Sequence, residues 1–174
     1  MTRIGKYLST LCLMTVLWIG APTILSASDP DRASGNEPTW HRYDKALKLA
    51  QDQDKFLLID FYTDWCGWCE VMDEKTYTDP EVRKLIDEHF ILVKVNAESK
   101  RFIKLQGRNI TETRLASIYK VTSYPTTWFL QSDGKAIAPV NGYVTPQDFE
   151  PILRYISGGW FKKMGYDAFV KQAR

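Results

Sequence analysis

The chain has 174 residues, 44% of them apolar, with 23 Lys and Arg against 21 Asp and Glu, enough for one ordinary domain with a substantial core. Setting aside Arg3 and Lys6, the only charged residues before Asp29, leaves 21 basic and 21 acidic residues, interspersed along the rest. Such a balance excludes the electrostatic footprint of a nucleic-acid-binding protein.

Arg3 and Lys6 precede an apolar stretch over residues 7–19, and the small residues Ser26, Ala27 and Ser28 follow Pro22. This reads as a secretory signal peptide over residues 1–27, cleaved near 27/28. An uncleaved anchor is the alternative, because residues 7–25 nearly span a thin bilayer. Cys12 leaves with the leader, so the exported chain keeps only Cys66 and Cys69. Residues 28–38, polar and holding Pro, Gly, Asn and Asp, read as a flexible lead-in.

Tyr43, Ala46, Leu47 and Ala50 recur at helical spacing and predict a first helix. Phe56 to Tyr62 is apolar and β-favouring, and the helix formers of residues 70–75 follow it, with Trp65-Cys66-Gly67-Trp68-Cys69 at the junction. Thr78-Asp79-Pro80-Glu81 is a capping box with Pro near the first turn; the helix it opens turns Val82, Leu85, Ile86 and His89 inward. His89 reads as a packed or surface histidine, not a ligand. Phe90 to Asn96 is a mostly apolar central strand. Residues 101–113 read as a small hairpin or loop turning at Gln106-Gly107, and a helix begun at Thr111 carries Leu115, Ile118 and Tyr119. Residues 126–131 and 136–140 form a hairpin about Asp133-Gly134. Thr145-Pro146 opens a helix with Phe149, Ile152, Leu153 and Ile156, in which Pro151 is a candidate kink. Phe161, Met164, Ala168 and Phe169 predict one further short helix.

Two thiols separated by two residues at a strand-to-helix junction can close and reopen a disulfide. Cys66 falls at the helix N-terminus, where unpaired N–H groups and the helix dipole favour a thiolate, and Cys69 lies one turn inside. A zinc half-site and a purely structural bridge compete with this reading. Zinc needs four ligands, and there is neither a second cysteine pair nor a histidine cluster, since His41 and His89 stand alone. A bridge this short closes a tiny loop and constrains the unfolded chain little.

Further motifs stand in order around the pair. Asp60 lies six residues before Cys66, Trp65 directly precedes it, and Lys94-Val95-Asn96, Tyr124-Pro125-Thr126, Gly134 and Gly142 follow. With the strand and helix order, residues 40–156 resemble the thioredoxin family, specifically its exported, periplasmic-type members. The resemblance implies an α/β thioredoxin fold over residues 39–174: a central mixed β-sheet flanked by helices, a short insertion before a cis-proline turn and an extra C-terminal helix. Two departures stand out. Trp68 occupies the place of the proline usual between thioredoxin's cysteines, and residues 101–113 lengthen the path from Lys94 to Pro125.

What the resemblance implies is a thiol-disulfide oxidoreductase working through the Cys66–Cys69 dithiol, with no cofactor or metal. Cys66 attacks and Cys69 resolves the mixed disulfide. Asp60 accepts the Cys69 proton, or is a strand acid satisfied by backbone or by Lys94. Lys94 tunes Asp60 by its charge, or is a solvated strand-end lysine. Pro125, in cis, exposes the neighbouring backbone to an extended substrate. Trp65, Trp68 and Tyr124 rim the site for a partner polypeptide, with Gly67 on the same surface; core packing is the alternative for Trp65. The Asp60 and Lys94 matches favour reduction of protein disulfides in an extracytoplasmic compartment, fed by a membrane electron donor. An oxidase or isomerase, or a binding module locked by its cysteines, are the competing readings.

Overall fold

The structure is a computed structural model and describes residues 37–173. The leader and most of the lead-in lie outside the described residues. The elements run β1 (Trp40–His41), α1 (Tyr43–Gln53), β2 (Phe56–Tyr62), α2 (Gly67–Val71), a π-helical segment (Met72–Thr76), α3 (Pro80–His89) and β3 (Phe90–Asn96). They continue with β4 (Phe102–Leu105), β5 (Arg108–Thr111), α4 (Glu112–Ile118), β6 (Thr126–Leu130), β7 (Ala136–Asn141), α5 (Pro146–Ser157), a 3-10 turn (Trp160–Lys162) and α6 (Tyr166–Ala173).

The main sheet has the order β1-β3-β2-β6-β7. β2 and β3 are parallel, β6 runs antiparallel to β2, and β7 is antiparallel to β6. Both central strands are buried on two faces, as their nearly unbroken apolar runs require. Alternation along β2 divides the core in two. Leu57, Ile59 and Phe61 pack with Tyr43, Ala46 and Ala50 of α1 and with Leu115 of α4. On the opposite face Leu58 packs with Met72, Tyr77, Val82 of α3 and Phe149 of α5. The expected thioredoxin architecture is therefore present, with helices on both faces of a mixed sheet.

Side-chain caps set the helix starts. Asp79 accepts from the Glu81 and Val82 N–H groups at 3.0 and 3.2 Å, with Pro80 at the first helical position. Thr111 and Thr145 cap α4 and α5 through the N–H groups of Arg114 and Asp148. The 101–113 insertion is a β4–β5 hairpin whose two-residue turn holds Gln106 at φ 50° and Gly107 at φ 79°, the doubly left-handed turn that matches strand twist.

Several details differ from the sequence expectations. β1 was not foreseen, since two residues give no periodicity to read. α5 runs through Pro151 without interruption. Ile118 is exposed and His89 half-exposed, each being the last residue of its helix, α4 and α3. Among the described residues no helix is long and apolar enough to cross a membrane.

Candidate active site

β2 delivers the chain to a turn in which the Cys66 N–H donates to the Thr63 carbonyl at 3.1 Å. Cys66 is the N-cap of α2, in an extended conformation, and its Sγ accepts from the Cys69 N–H at 3.2 Å. Its carbonyl accepts from the Cys69 and Glu70 N–H groups at 3.0 and 3.3 Å, which starts the helix. The two cysteines form a disulfide with their Cα atoms 5.3 Å apart. Cys66 is 6% exposed and Cys69 3%. A helix N-cap surrounds Cys66 with the unpaired N–H groups that stabilise a thiolate.

Asp60 shares the β2 face that carries Leu58, which packs against Met72 and Tyr77 of the segment that follows α2. It is 1% exposed. Its register partners are Lys94 on β3 and Thr127 on β6. Lys94 Nζ lies 3.3 Å from Asp60 Oδ2, while Asp60 Oδ1 has no hydrogen-bond partner. Lys94 is shared: it also pairs with Asp73 and lies over the rings of Trp40 and Tyr62 at 4.6 and 5.2 Å. Burial pushes the Asp60 carboxyl up to about 6; the Lys94 charge pulls it back and the Asp73 charge pushes it further up. The Tyr77 hydroxyl, 3.2 Å from Thr127 Oγ1, is held well above its ordinary value by burial and then by Asp60.

The rim is aromatic and open. Trp65 is 69% exposed and Trp68 61%, so core packing does not account for either. Trp65 meets Tyr124 edge-on at 5.9 Å and donates its Nε1–H to Glu98 at 3.1 Å. Trp68 stacks on Tyr143 at 5.3 Å. The Tyr124-Pro125 bond is cis. The Pro125 carbonyl accepts from the Gly142 N–H at 2.8 Å, where φ of 81° suits glycine. A Cβ on Gly67 would meet nothing within 4 Å, so this position is clear of the protein's own atoms.

The structure thus joins Asp60 to Lys94 in a buried cluster and Trp65 to Tyr124 in the rim. His89 enters neither, and among the described residues no group of three metal-ligating side chains occurs. Sequence reasoning missed Asp73, Tyr77, Glu98 and Tyr143. Only Tyr143 left a signal, as an aromatic next to a glycine already singled out.

A family model for a thioredoxin-like domain matches residues 43–157. The chain belongs to the thioredoxin-like domain family. It is 30% identical over 113 residues to the thiol:disulfide interchange protein DsbD of Tatumella citrea, covering 64% of this chain and 18% of that protein. It is 28% identical over 100 residues to the disulfide bond reductase DsbH of Chlamydia pneumoniae, covering 57% and 60%. The match thus spans less than two thirds of either relative. A solved thioredoxin-fold protein from Helicobacter pylori superposes with a TM-score of 0.61 at 25% identity, covering 69% of this chain and 84% of that one. Family membership and the Cys66–Cys69 pair together support thiol-disulfide oxidoreductase activity.

Proposed function

We propose that the protein reduces disulfides of other proteins in an extracytoplasmic compartment, the periplasm in a bacterial cell, and is re-reduced by a membrane electron donor. The observation that carries this reading is a cysteine disulfide capping a helix inside an exposed aromatic rim beside a cis-proline turn. In the reduced protein the Cys66 thiolate attacks a substrate disulfide; one substrate sulfur leaves as a thiolate and a mixed disulfide forms. Cys69 then gives its proton to Asp60, and its thiolate attacks Cys66 Sγ. The second substrate sulfur is released and the Cys66–Cys69 disulfide closes, so two electrons have passed to the substrate.

Asp60 is suited to the proton step because a carboxyl with a pKa of about 6 is ionised at neutral pH yet holds a proton readily. Lys94 sets its charge environment. Proton exchange at Asp60 serves closing and opening of the Cys66–Cys69 disulfide alike, so the direction is supported instead by the likeness to DsbH, a disulfide bond reductase. Trp65, Gly67, Trp68, Tyr124 and Pro125 offer the docking surface: two exposed indoles, an open glycine and a backbone edge for an extended segment. The apolar leader read from residues 1–27 supports export.

Equilibration of the Cys66–Cys69 couple with a redox buffer tests the direction. A potential near thioredoxin's value of about −270 mV agrees with a reductase, and one near about −120 mV assigns an oxidase instead.

A further inference from the structure

The charges of this chain are interspersed over most of its length, but residues 100–114, the β4–β5 hairpin and its flanks, carry nearly one sign. Lys100, Arg101, Lys104, Arg108 and Arg114 are all exposed, and the only acid between residues 100 and 114 is Glu112. Glu112 is buried and bound by Arg101. The other four cations form no ion pair among the described residues.

The hairpin is held firmly. Ile103 is buried in the core beneath α1, with Leu105 and Ile110 packed against the same cluster. Phe102 and Lys104 alternate with these residues and point away; Phe102 is 64% exposed. Arg42 donates from Nη2 to the Phe102 carbonyl at 2.9 Å, and the Thr113 N–H and hydroxyl both donate to the Ser99 carbonyl, at 3.1 and 2.9 Å. The base of the hairpin is also continuous with the rim, because Glu98 accepts from Trp65. Four residues from Glu98 to Phe102 reach at most roughly 14 Å. A stable protein interface covers about 800 Å² per partner, a patch on the order of 30 Å across. A protein seated on Trp65 and the disulfide whose contact runs on past Glu98 would reach the base of the hairpin.

We infer that the β4–β5 hairpin is a second docking element for the protein substrate, and that it fits a partner carrying acidic side chains and an exposed apolar residue beside its reactive disulfide. The inference rests on the reading that Cys66 and Cys69 act on protein disulfides. Opposite charge steers the encounter and excludes basic partners, while Phe102 supplies apolar contact once the complex forms. An anionic membrane shares the charge, but continuity with Trp65 favours a protein.

The test is single-turnover reduction by the pre-reduced protein of two cystine peptides of equal length. Each carries one Phe; one is flanked by Asp and Glu, the other by Lys. Hydroxyethyl disulfide is the reference. Each turnover consumes one dithiol and yields one Cys66–Cys69 disulfide. Reduction of the acidic peptide about ten-fold faster than the basic one at low salt is expected, with the ratio approaching one at about 0.5 M salt. In Lys104→Glu/Arg108→Glu the ratio falls to one or inverts; being measured within one preparation, it is insensitive to partial misfolding. Equal rates on both peptides, or a ratio unchanged in the variant, overturn the inference while leaving the redox reading intact if hydroxyethyl disulfide is reduced. Failure to reduce hydroxyethyl disulfide overturns the redox reading itself. Co-sedimentation with phosphatidylglycerol vesicles that is lost in Phe102→Ser/Lys104→Glu assigns the hairpin to a membrane and likewise overturns the inference.

Discussion

Replacing Asp60 with Asn should make the protein more stable at pH 8 and leave it almost unchanged at pH 4. The carboxyl is 1% exposed, one of its oxygens has no hydrogen-bond partner, and its cation is shared with Asp73. Its pKa is about 6 in the folded protein against an ordinary value of 3.8. Between these values the native state holds a proton that the unfolded state has lost, so stability falls as pH rises through this window. At 1.36 kcal/mol per pH unit the whole effect is about 3 kcal/mol, absent near pH 4 and complete above pH 7. Asn removes the ionisation and keeps a side chain of the same shape. Lys94 retains Asp73 and the Trp40 and Tyr62 rings, so no unpaired cation is left behind. Urea unfolding of both oxidised proteins from pH 4 to pH 8 should give curves that diverge by about 1–3 kcal/mol, the lower figure allowing for burial of the amide. The same variant should slow resolution of a mixed disulfide more than its formation. Parallel stability curves would refute the charge argument, and a normal resolution rate in a variant less stable than its parent would make Asp60 structural.

Three shorter tests follow from the rest of the site. Cys69→Ser should accumulate mixed disulfides visible on non-reducing gels, and Cys66→Ser should not; equal trapping by both would overturn the assigned roles. Trp68→Ala removes the exposed ring that stacks on Tyr143, so the kcat/KM for a protein disulfide should fall by about ten-fold, the cost of roughly 1–2 kcal/mol of contact. Small disulfides should react nearly normally, and equal losses on both would mean that Trp68 acts on the thiols. Arg101→Met leaves the Glu112 carboxylate buried with neither oxygen partnered. Unfolding measurements should show a loss of about 1–3 kcal/mol, largely recovered in Arg101→Met/Glu112→Gln.

Elements that bury a face were legible because burial writes a period into the chain. Tyr43, Ala46 and Ala50 mark the inner side of α1, and all three are buried as their spacing requires. The apolar runs of β2 and β3, broken only by Asp60 in the one and by Lys94 and the terminal Asn96 in the other, identify strands covered on both faces. Caps were legible for a different reason: Thr111 and Thr145 satisfy backbone N–H groups locally, so no tertiary knowledge is needed to see them. At α3 the expected Thr78–Glu81 capping box is replaced by Asp79 one residue on, because the Thr78 hydroxyl donates to the Glu74 carbonyl instead. β1 leaves no such trace. Two residues define no period, and Trp40 and His41 become a strand only because β3 offers them its parallel edge.

The site divides along the same line. Cys66, Cys69 and Asp60 are readable because each is anomalous where it stands: a thiol pair at a helix start, an acid within an apolar strand. Asp73 is an acid in a helix, where an acid on the solvent side is ordinary. What brings it to Lys94 is a break in helical periodicity. The Tyr77 N–H donates to the Met72 carbonyl at 3.0 Å, five residues back, so the segment winds wider than an α-helix. The wide turn buries Met72, Thr76 and Tyr77 against the sheet and places Asp73 beside the lysine that Asp60 also uses. A reading at 3.6 residues per turn has no means of anticipating this placement. The same turn makes Lys94 a shared cation: burial is what raises the Asp60 pKa, Lys94 pulls it back, and the Asp73 charge brought in by the turn adds to the rise. The Asp60 carboxyl thus feels a backbone irregularity twelve residues and more away in sequence, added to its burial, and a substitution that restores regular α-helix over Met72–Thr76 should move the Asp60 titration to lower pH by removing the Asp73 charge and freeing Lys94 to serve it alone.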